Sequence, residues 1–415
     1  MTKDSSGSKR DLTRRAVFSG SLALAGAAAI ARPNLSLAST AAPGIDVAKK
    51  TVRVGAFAPI TGPVPFYAII NRASDAYFQE LNASGGIQGW KVEYVVRDDG
   101  YEPARSVAVT QRLIEEDQVF ALVASNGTAQ NVAVIPVAKQ HNLPIVGPSG
   151  GSPKLVAEPN IFPLLPDYAL SAAACTEYSV DVLKKDKIAL LWENDELGRA
   201  AKRGIDLYLS SLNKQTVVDA SFNVRSTDFS AQVRRAAEAN AEVTIIFGSN
   251  ANLASALRAA NAIGYKCDWF APFFTADPST YGLAKDLLNG VRFSSWLMPV
   301  DADNENVRRY REAIVKHYPK DPMGVFGLNG WTQASLFAAA FDRLVSSGNP
   351  ITREGLIDAL NGMSNVSVGA SKNVTFSKDD HRGTRQETMI QAQDGKFRVV
   401  RDFTPYPSVV FNAKP

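Results

Sequence analysis

The 415-residue chain holds only two cysteines, Cys175 and Cys267, and three histidines, His141, His317 and His381. Neither thiol has a histidine or second cysteine at metal-ligand spacing, and the histidines are scattered among Lys, Asp, Arg and Asn neighbours. No metal site is therefore expected. A G-x-x-x-x-G-K loop is missing and the glycine pairs lack dinucleotide-binding spacing, so no cofactor is expected either. After residue 40 no apolar run is long enough to cross a bilayer. An excess of charge is missing too. Residues 1 to 41 hold six of the 45 basic residues and two of the 41 acidic ones, which leaves the remainder balanced. Nothing in that remainder argues for nucleic acid or an anionic membrane surface.

What is present begins with an export signal. Lys9, Arg10, Arg14 and Arg15 form a basic n-region, Val17 to Ala31 is mildly apolar, and small-residue cleavage sites lie near Ala38 and Ala41. Thr13-Arg14-Arg15-Ala16-Val17-Phe18 resembles a twin-arginine motif, so residues 1 to 41 read as a cleaved twin-arginine-type signal. No cysteine stands near the cleavage site to carry a lipid anchor. Release into a bacterial periplasm is expected. There Cys175 and Cys267 could pair or remain as two buried thiols, and the sequence leaves both open.

The most informative stretch runs from Val119 to Ser152. An apolar run ends in Ser125-Asn126-Gly127-Thr128, a segment of helical spacing follows, and Pro144 to Val146 ends in Gly147-Pro148-Ser149-Gly150-Gly151. This reads as strand, polar turn, helix, strand, polar turn. In an open parallel sheet both turns lie at strand carboxyl ends, where ligands bind. The plan recurs from Glu242 to Phe274. Ser125 stands 23 residues before Pro148, and Ser249 stands 23 before Pro272. The repeat predicts two similar lobes facing one cleft, with Ser125, Asn126, Ser149 and Gly150 on one wall and Ser249, Asn250, Phe273 and Phe274 on the other.

From Thr51 onward strand and helix alternate, which gives an α/β fold class with parallel sheets. Val54-Gly55 through Thr61-Gly62-Pro63, Asn82 to Gly89, and Arg97-Asp98-Asp99 with Pro103 are similar to the leucine/isoleucine/valine-binding protein family. The likeness continues through Val119–Ser152, Leu190 to Asp195 with Gly198, Asp228-Phe229, Ala262 to Gly264 and a helix at Trp331. These are periplasmic substrate-binding proteins of ATP-binding-cassette (ABC) importers. The resemblance implies two Rossmann-like lobes joined by three crossovers near Pro166–Ala169, Leu297–Val300 and Val366–Ala370. Lobe 1 is then expected over 51–167 and 298–368, and lobe 2 over 168–297 and 369–415.

The resemblance also implies how a ligand is held. Family members take the ligand carboxylate on hydroxyls and backbone N–H groups of the first lobe, which map to Ser125, Asn126, Gly127 and Thr128 and to Ser149, Gly150 and Gly151. An acid from the second lobe takes the ammonium, for which Asp277 is the nearest match. Gly151 stands where threonine is usual, and Leu197 replaces a tyrosine before Gly198. Phe274 and Asn250, with Tyr67 on the first helix, complete the expected lining. A buried ammonium without a carboxylate costs roughly several kcal/mol. The ligand is therefore expected to be an aromatic or branched carboxylate, or a branched-chain amino acid if Asp277 or Asp195 reaches it. Expected partners are this small molecule and an inner-membrane ABC permease with its ATPase, with the protein itself a monomer.

Two other functions fit parts of the sequence. Gly147-Pro148-Ser149-Gly150-Gly151 matches G-x-S-x-G, and His317 or His381 follows in hydrolase order. Pro153, Pro159 and Pro163 interrupt the long helix that such a nucleophile requires, so no catalytic residue is expected. Ligand sensing without transport is compatible with the same sequence.

Overall fold

The apolar runs after Thr51 build two separate sheets in the computed structural model, which describes residues 42–413. The expected export signal lies outside the described residues. The first sheet takes β1 (Ile45–Asp46), β2 (Thr51–Ala58), β3 (Lys91–Asp98), β4 (Leu122–Val123), β5 (Ile145–Val146) and β6 (Ile161–Phe162). Helices α1 (Ile69–Ala83), α2 (Pro103–Glu115), α3 (Thr128–Ala133), α4 (Ile135–Gln140) and α5 (Pro153–Val156) connect them. β2 pairs in parallel with β3 and β4, β4 with β5, and β5 with β6, while β1 runs antiparallel along the start of β2. Tyr67, expected on the first helix, lies instead in a 3₁₀ turn, Pro65–Ala68, directly ahead of it.

The chain then crosses to the second sheet. Helix α6 (Tyr168–Glu177) leads to β7 (Ile188–Glu193), α7 (Glu196–Ser211), β8 (Val218–Phe222), α8 (Ser230–Glu238), β9 (Val243–Phe247), α9 (Asn250–Ala262), β10 (Asp268–Pro272), α10 (Pro278–Ala284) and β11 (Arg292–Ser295). These strands are parallel in the order β8-β7-β9-β10-β11. Helices cover both faces, so β9 is buried at all five residues and shows no alternation.

After β11 the chain returns to the first core. Helices α11 (Glu305–His317), α12 (Val325–Ser346) and α13 (Arg353–Asn361) pack there, and the Ser74 hydroxyl donates to the Gly330 carbonyl at 2.9 Å to tie α1 to α12. The hairpin β12 (Val366–Val368) and β13 (Ser371–Val374) stays with them, as Val368, Ala370, Val374 and Phe376 join the same core. Where the third crossover was expected, at Val366–Ala370, the chain is thus still fastened to the first lobe: the Ala370 amide donates to Thr332 Oγ1 at 3.1 Å. The second sheet resumes at β14 (Gln386–Gln393) and β15 (Lys396–Pro405), which add antiparallel strands beside β11, and α14 (Ser408–Phe411) ends the chain.

Both cysteines are free. Cys175 is buried, which pushes its thiol up to about 12, and Cys267 contacts Thr244 Oγ1 at 3.3 Å. Among the described residues no helix is long and apolar enough to cross a membrane.

Glu387 of β14 is 1% exposed and is held by the Ser171 hydroxyl of α6 at 2.5 Å. Its second oxygen has no partner among the described residues. Burial raises its carboxyl from 4.5 to about 7. The folded chain therefore keeps this proton over an interval in which the unfolded chain loses it. Stability should fall as pH rises from about 4.5 to 7, by on the order of 3 kcal/mol from this group. Urea unfolding at pH 5 and pH 7.5 should show a smaller loss in Glu387→Gln than in the parent; equal losses would assign the slope elsewhere.

Candidate functional site

Between the two sheets lies a cavity of about 1140 Å³. Its lining follows the carboxyl ends of the strands: Tyr67 comes after β2, Tyr101 after β3, Asn126 after β4 and Ser149 after β5. Opposite them Asp195 follows β7, Val224 follows β8, Ser249 follows β9 and Phe274 follows β10. This is the arrangement that parallel sheets impose on ligand sites. Of the residues expected from sequence, Tyr67, Asn126, Gly127, Thr128, Ser149, Gly151, Asp195, Leu197, Ser249, Phe273 and Phe274 line the cavity.

Four do not. Ser125 is fully buried, its hydroxyl donating to Asn131 Oδ1 at 2.6 Å. Gly150 packs against the Thr128 backbone, where a Cβ would stand 3.0 Å from Thr128 Cα. Asn250 turns away to donate to Ser279 Oγ at 3.0 Å. Asp277 is 4% exposed, and its carboxylate accepts from Ser279 N and Val325 N, both at 2.9 Å. Ser125 and Asn250 thus spend their polar groups on neighbouring side chains, and Asp277 spends its carboxylate on backbone N–H groups at two helix starts.

The two loops of the first wall are bonded to each other. Gly127 N donates to the Ser149 carbonyl at 3.1 Å, Ser149 N to the Ser125 carbonyl at 2.8 Å, and Gly151 N to Thr128 Oγ1 at 3.3 Å. Those amides hold the wall together. The amides of Thr128 and Ala129, in the first turn of α3, have no intrahelical acceptor. Ser149 Oγ receives the side-chain amides of Gln333 at 2.9 Å and Asn329 at 3.2 Å, both from α12. Asn329 lines the cavity and its Oδ1 has no partner among the described residues, which leaves an acceptor there.

An aromatic band crosses the cavity. Tyr67 lies 6.0 Å from Tyr101 and 5.2 Å from Phe326, and Tyr168 meets Phe274 edge-on at 6.1 Å. Burial pushes the Tyr67 and Tyr168 phenols up, so they remain donors. Tyr101 has φ +64°, a left-handed conformation that a bulky residue enters only when its surroundings enforce it. Gln130 Nε2 donates to the Tyr101 carbonyl at 2.7 Å and holds it there.

The second wall is acidic. Glu193 ends β7 at 8% exposure, and burial together with the adjoining Asp195 raises it from 4.5 to about 7. Asp195 also accepts from Gly198 N at 3.0 Å and so caps α7. Glu193, Asp195 and Glu196 face the cavity against one basic residue, Lys154. Among the described residues no cluster of His, Cys, Asp or Glu could hold a metal ion. Sequence reasoning placed neither Glu193 nor Tyr101, Tyr168, Phe326 or Asn329 in the site. Glu193 was within reach, since it ends the apolar strand Ile188–Glu193; Phe326 and Asn329 arrive on α12, and Asn329 stands 180 residues from the Ser149 that it contacts.

The family model for periplasmic binding proteins matches residues 51–396. The chain belongs to that family. The Leu/Ile/Val-binding protein of Escherichia coli is 23% identical over 313 residues, covering 74% of this chain and 80% of that one. An amino acid binding protein of Pseudomonas aeruginosa is 26% identical over 218 residues, 52% of this chain, and the match spans only 58% of that relative's length. A fatty acid ABC transporter substrate-binding protein from Thermomonospora curvata superposes with TM-score 0.78 at 23% identity, covering 90% of this chain and 96% of that one. A branched chain amino acid ABC transporter from Thermus thermophilus with bound valine gives 0.76, also at 23% identity, over 87% and 97%. The solved structures share the two-lobed fold.

Within this periplasmic binding protein the hydrolase-like Ser149 contacts amides, not a histidine: His317 meets Glu80 at 2.5 Å and His381 Nδ1 meets the Ile161 carbonyl at 2.9 Å. Gly151 is fixed by space. A Cβ there would stand 2.7 Å from Leu165 Cδ2 and 2.9 Å from both the Pro166 carbonyl and Tyr168 Cε2. Threonine at this position would push the first crossover and the Tyr168 ring away. Gly151→Thr should therefore destabilise the protein by about 1–3 kcal/mol, the usual cost of overpacking. An unchanged thermal midpoint would mean that the crossover yields freely.

Proposed function

We propose that this protein is the solute-binding component of an ABC importer, capturing a small apolar amino acid in the periplasm and presenting it to permease and ATPase subunits. The observation that carries this reading is one cavity with unlike walls. Free amides and the Ser149 region face it from the first lobe, and the Glu193–Asp195 pair faces it from the second. An α-amino acid offers a carboxylate to one and an ammonium to the other. Its side chain then lies among Tyr67, Tyr101, Tyr168, Phe274 and Phe326. The acids that Asp277 was expected to supply are supplied by Glu193 and Asp195. The Thermus neighbour holds valine, which agrees.

Capture works by hinge closure. The lobes, 51–167 with 298–376 and 168–297 with 386–413, turn about the segments between them. Ligand shifts the equilibrium because contacts to both walls exist together only when the lobes close. The protein acts as a monomer.

A second reading is a branched or aromatic carboxylate without an ammonium. Lys154 and the aromatic band support it, and the Thermomonospora neighbour is named for fatty acids.

Titration calorimetry of the mature chain separates the two. L-leucine and L-phenylalanine should bind, and 4-methylpentanoate and 3-phenylpropanoate should bind at least tenfold more weakly. Because a cation needs Glu193 ionised, amino-acid affinity should rise with pH up to about 7 and level off above it. Glu193→Gln should cost about 2 kcal/mol or more and remove that pH dependence. Equal or tighter binding of the deaminated acids, strengthening as pH falls, would overturn the amino-acid reading in favour of the second. Ser149→Trp should abolish binding of either class while the unliganded protein stays folded; unchanged affinity would remove that loop from the site.

A further inference from the structure

Asp277 bridges the lobes. It starts α10, which packs in the second core through Ala284, as does Ala276 just ahead of the cap. One carboxylate oxygen accepts from Ser279 N at 2.9 Å and Ser279 Oγ at 2.6 Å, the ordinary work of a helix cap. The other oxygen accepts from Val325 N at 2.9 Å, and Val325 opens α12, a helix of the first core. One side chain therefore caps two helices in two lobes. Gly324 fits around it: a Cβ on that residue would stand 2.0 Å from Asp277 Oδ2. The Gly324 carbonyl in turn receives the Tyr310 hydroxyl of α11 at 3.0 Å, which anchors the contact in the first lobe. The bond is buried and charge-assisted, a strong class of hydrogen bond.

We infer that Asp277 is an inter-lobe latch, a positioning residue that fixes the start of α12 against the second lobe and thereby sets the lobe–lobe equilibrium on which solute capture depends. Phe326 follows the latched residue directly and Asn329 lies one turn on; both line the cavity. Opening the latch frees the end of α12 that carries them. This rests on the hinge closure proposed above but not on the identity of the solute.

Two variants approach the latch from opposite lobes. Asp277→Ser keeps a good cap for α10, yet a single hydroxyl cannot serve both helices. Gly324→Ala leaves Asp277 in place and fills the space its oxygen occupies. The mature chain, with Cys267→Ser removing the partly exposed thiol, is spin-labelled at the exposed positions Gln111 and Thr227, one on each lobe. Pulsed dipolar spectroscopy then reads the ligand-free distance distribution, with circular dichroism confirming folding. Both variants should shift the ratio of lobe conformers, by about tenfold for loss of a charge-assisted bond, and the double variant should add little to either alone. A distribution unchanged in both variants would reduce Asp277 to a local cap and overturn the latch. A shift in Asp277→Ser alone, with Gly324→Ala like the parent, would overturn it equally. If neither L-leucine nor 4-methylpentanoate moves the parent's distribution, the hinge reading fails on its own, separately from the variants.

Discussion

Parallel strand pairing is the constraint on which the rest of this molecule depends. Strands that run the same way put all their carboxyl ends at one edge, so the loops that follow them must gather there. Here two such sheets turn those edges toward each other. Loops after β2 to β5 supply one wall and loops after β7 to β10 the other. The exceptions are Leu165 and Tyr168, which follow β6, and Phe326 and Asn329, which come from α12, a helix that returns to the first core after the parallel strands of the second sheet.

The two walls differ in chemistry because their loops are bonded differently. On the first wall the turn amides of Gly127, Ser149 and Gly151 join loop to loop, which makes a stiff surface with few free donors. On the second wall Glu193 and Asp195 sit two residues apart at the end of one strand and the start of one helix. Like charges that close, half out of water, cannot both ionise freely. Burial and the neighbouring Asp195 raise the Glu193 carboxyl to about 7. A single basic residue, Lys154, stands against three acids around the cavity.

Several short polar residues of the repeat turned out to be structural. Ser125 and Asn250 resemble their counterparts in position, yet one is spent on Asn131 and the other on Ser279. Asp277 spans the lobes instead of facing the cavity. A carboxylate next to a proline at a helix start has the same local sequence whether it serves a ligand, its own helix or a second one. Only the position of α12 separates these cases.

Fold class, the two-lobed repeat and the family were legible in the residues alone, because alternating apolar runs and turn residues are local patterns with fixed periods. These patterns also determined that the loops around Asn126 and Ser149 face a cavity, since strand ends are legible from where apolar runs stop. Tertiary structure alone decided which polar atoms remain free in that cavity. Glu193 matters through its burial beside Asp195, Tyr101 through a backbone conformation that no composition reveals, and Asn329 through a helix packed against loops 180 residues earlier. Hydrogen-bond satisfaction depends on neighbours distant in the chain, and that is why the free donors and acceptors of the site could be counted only once the chain was folded.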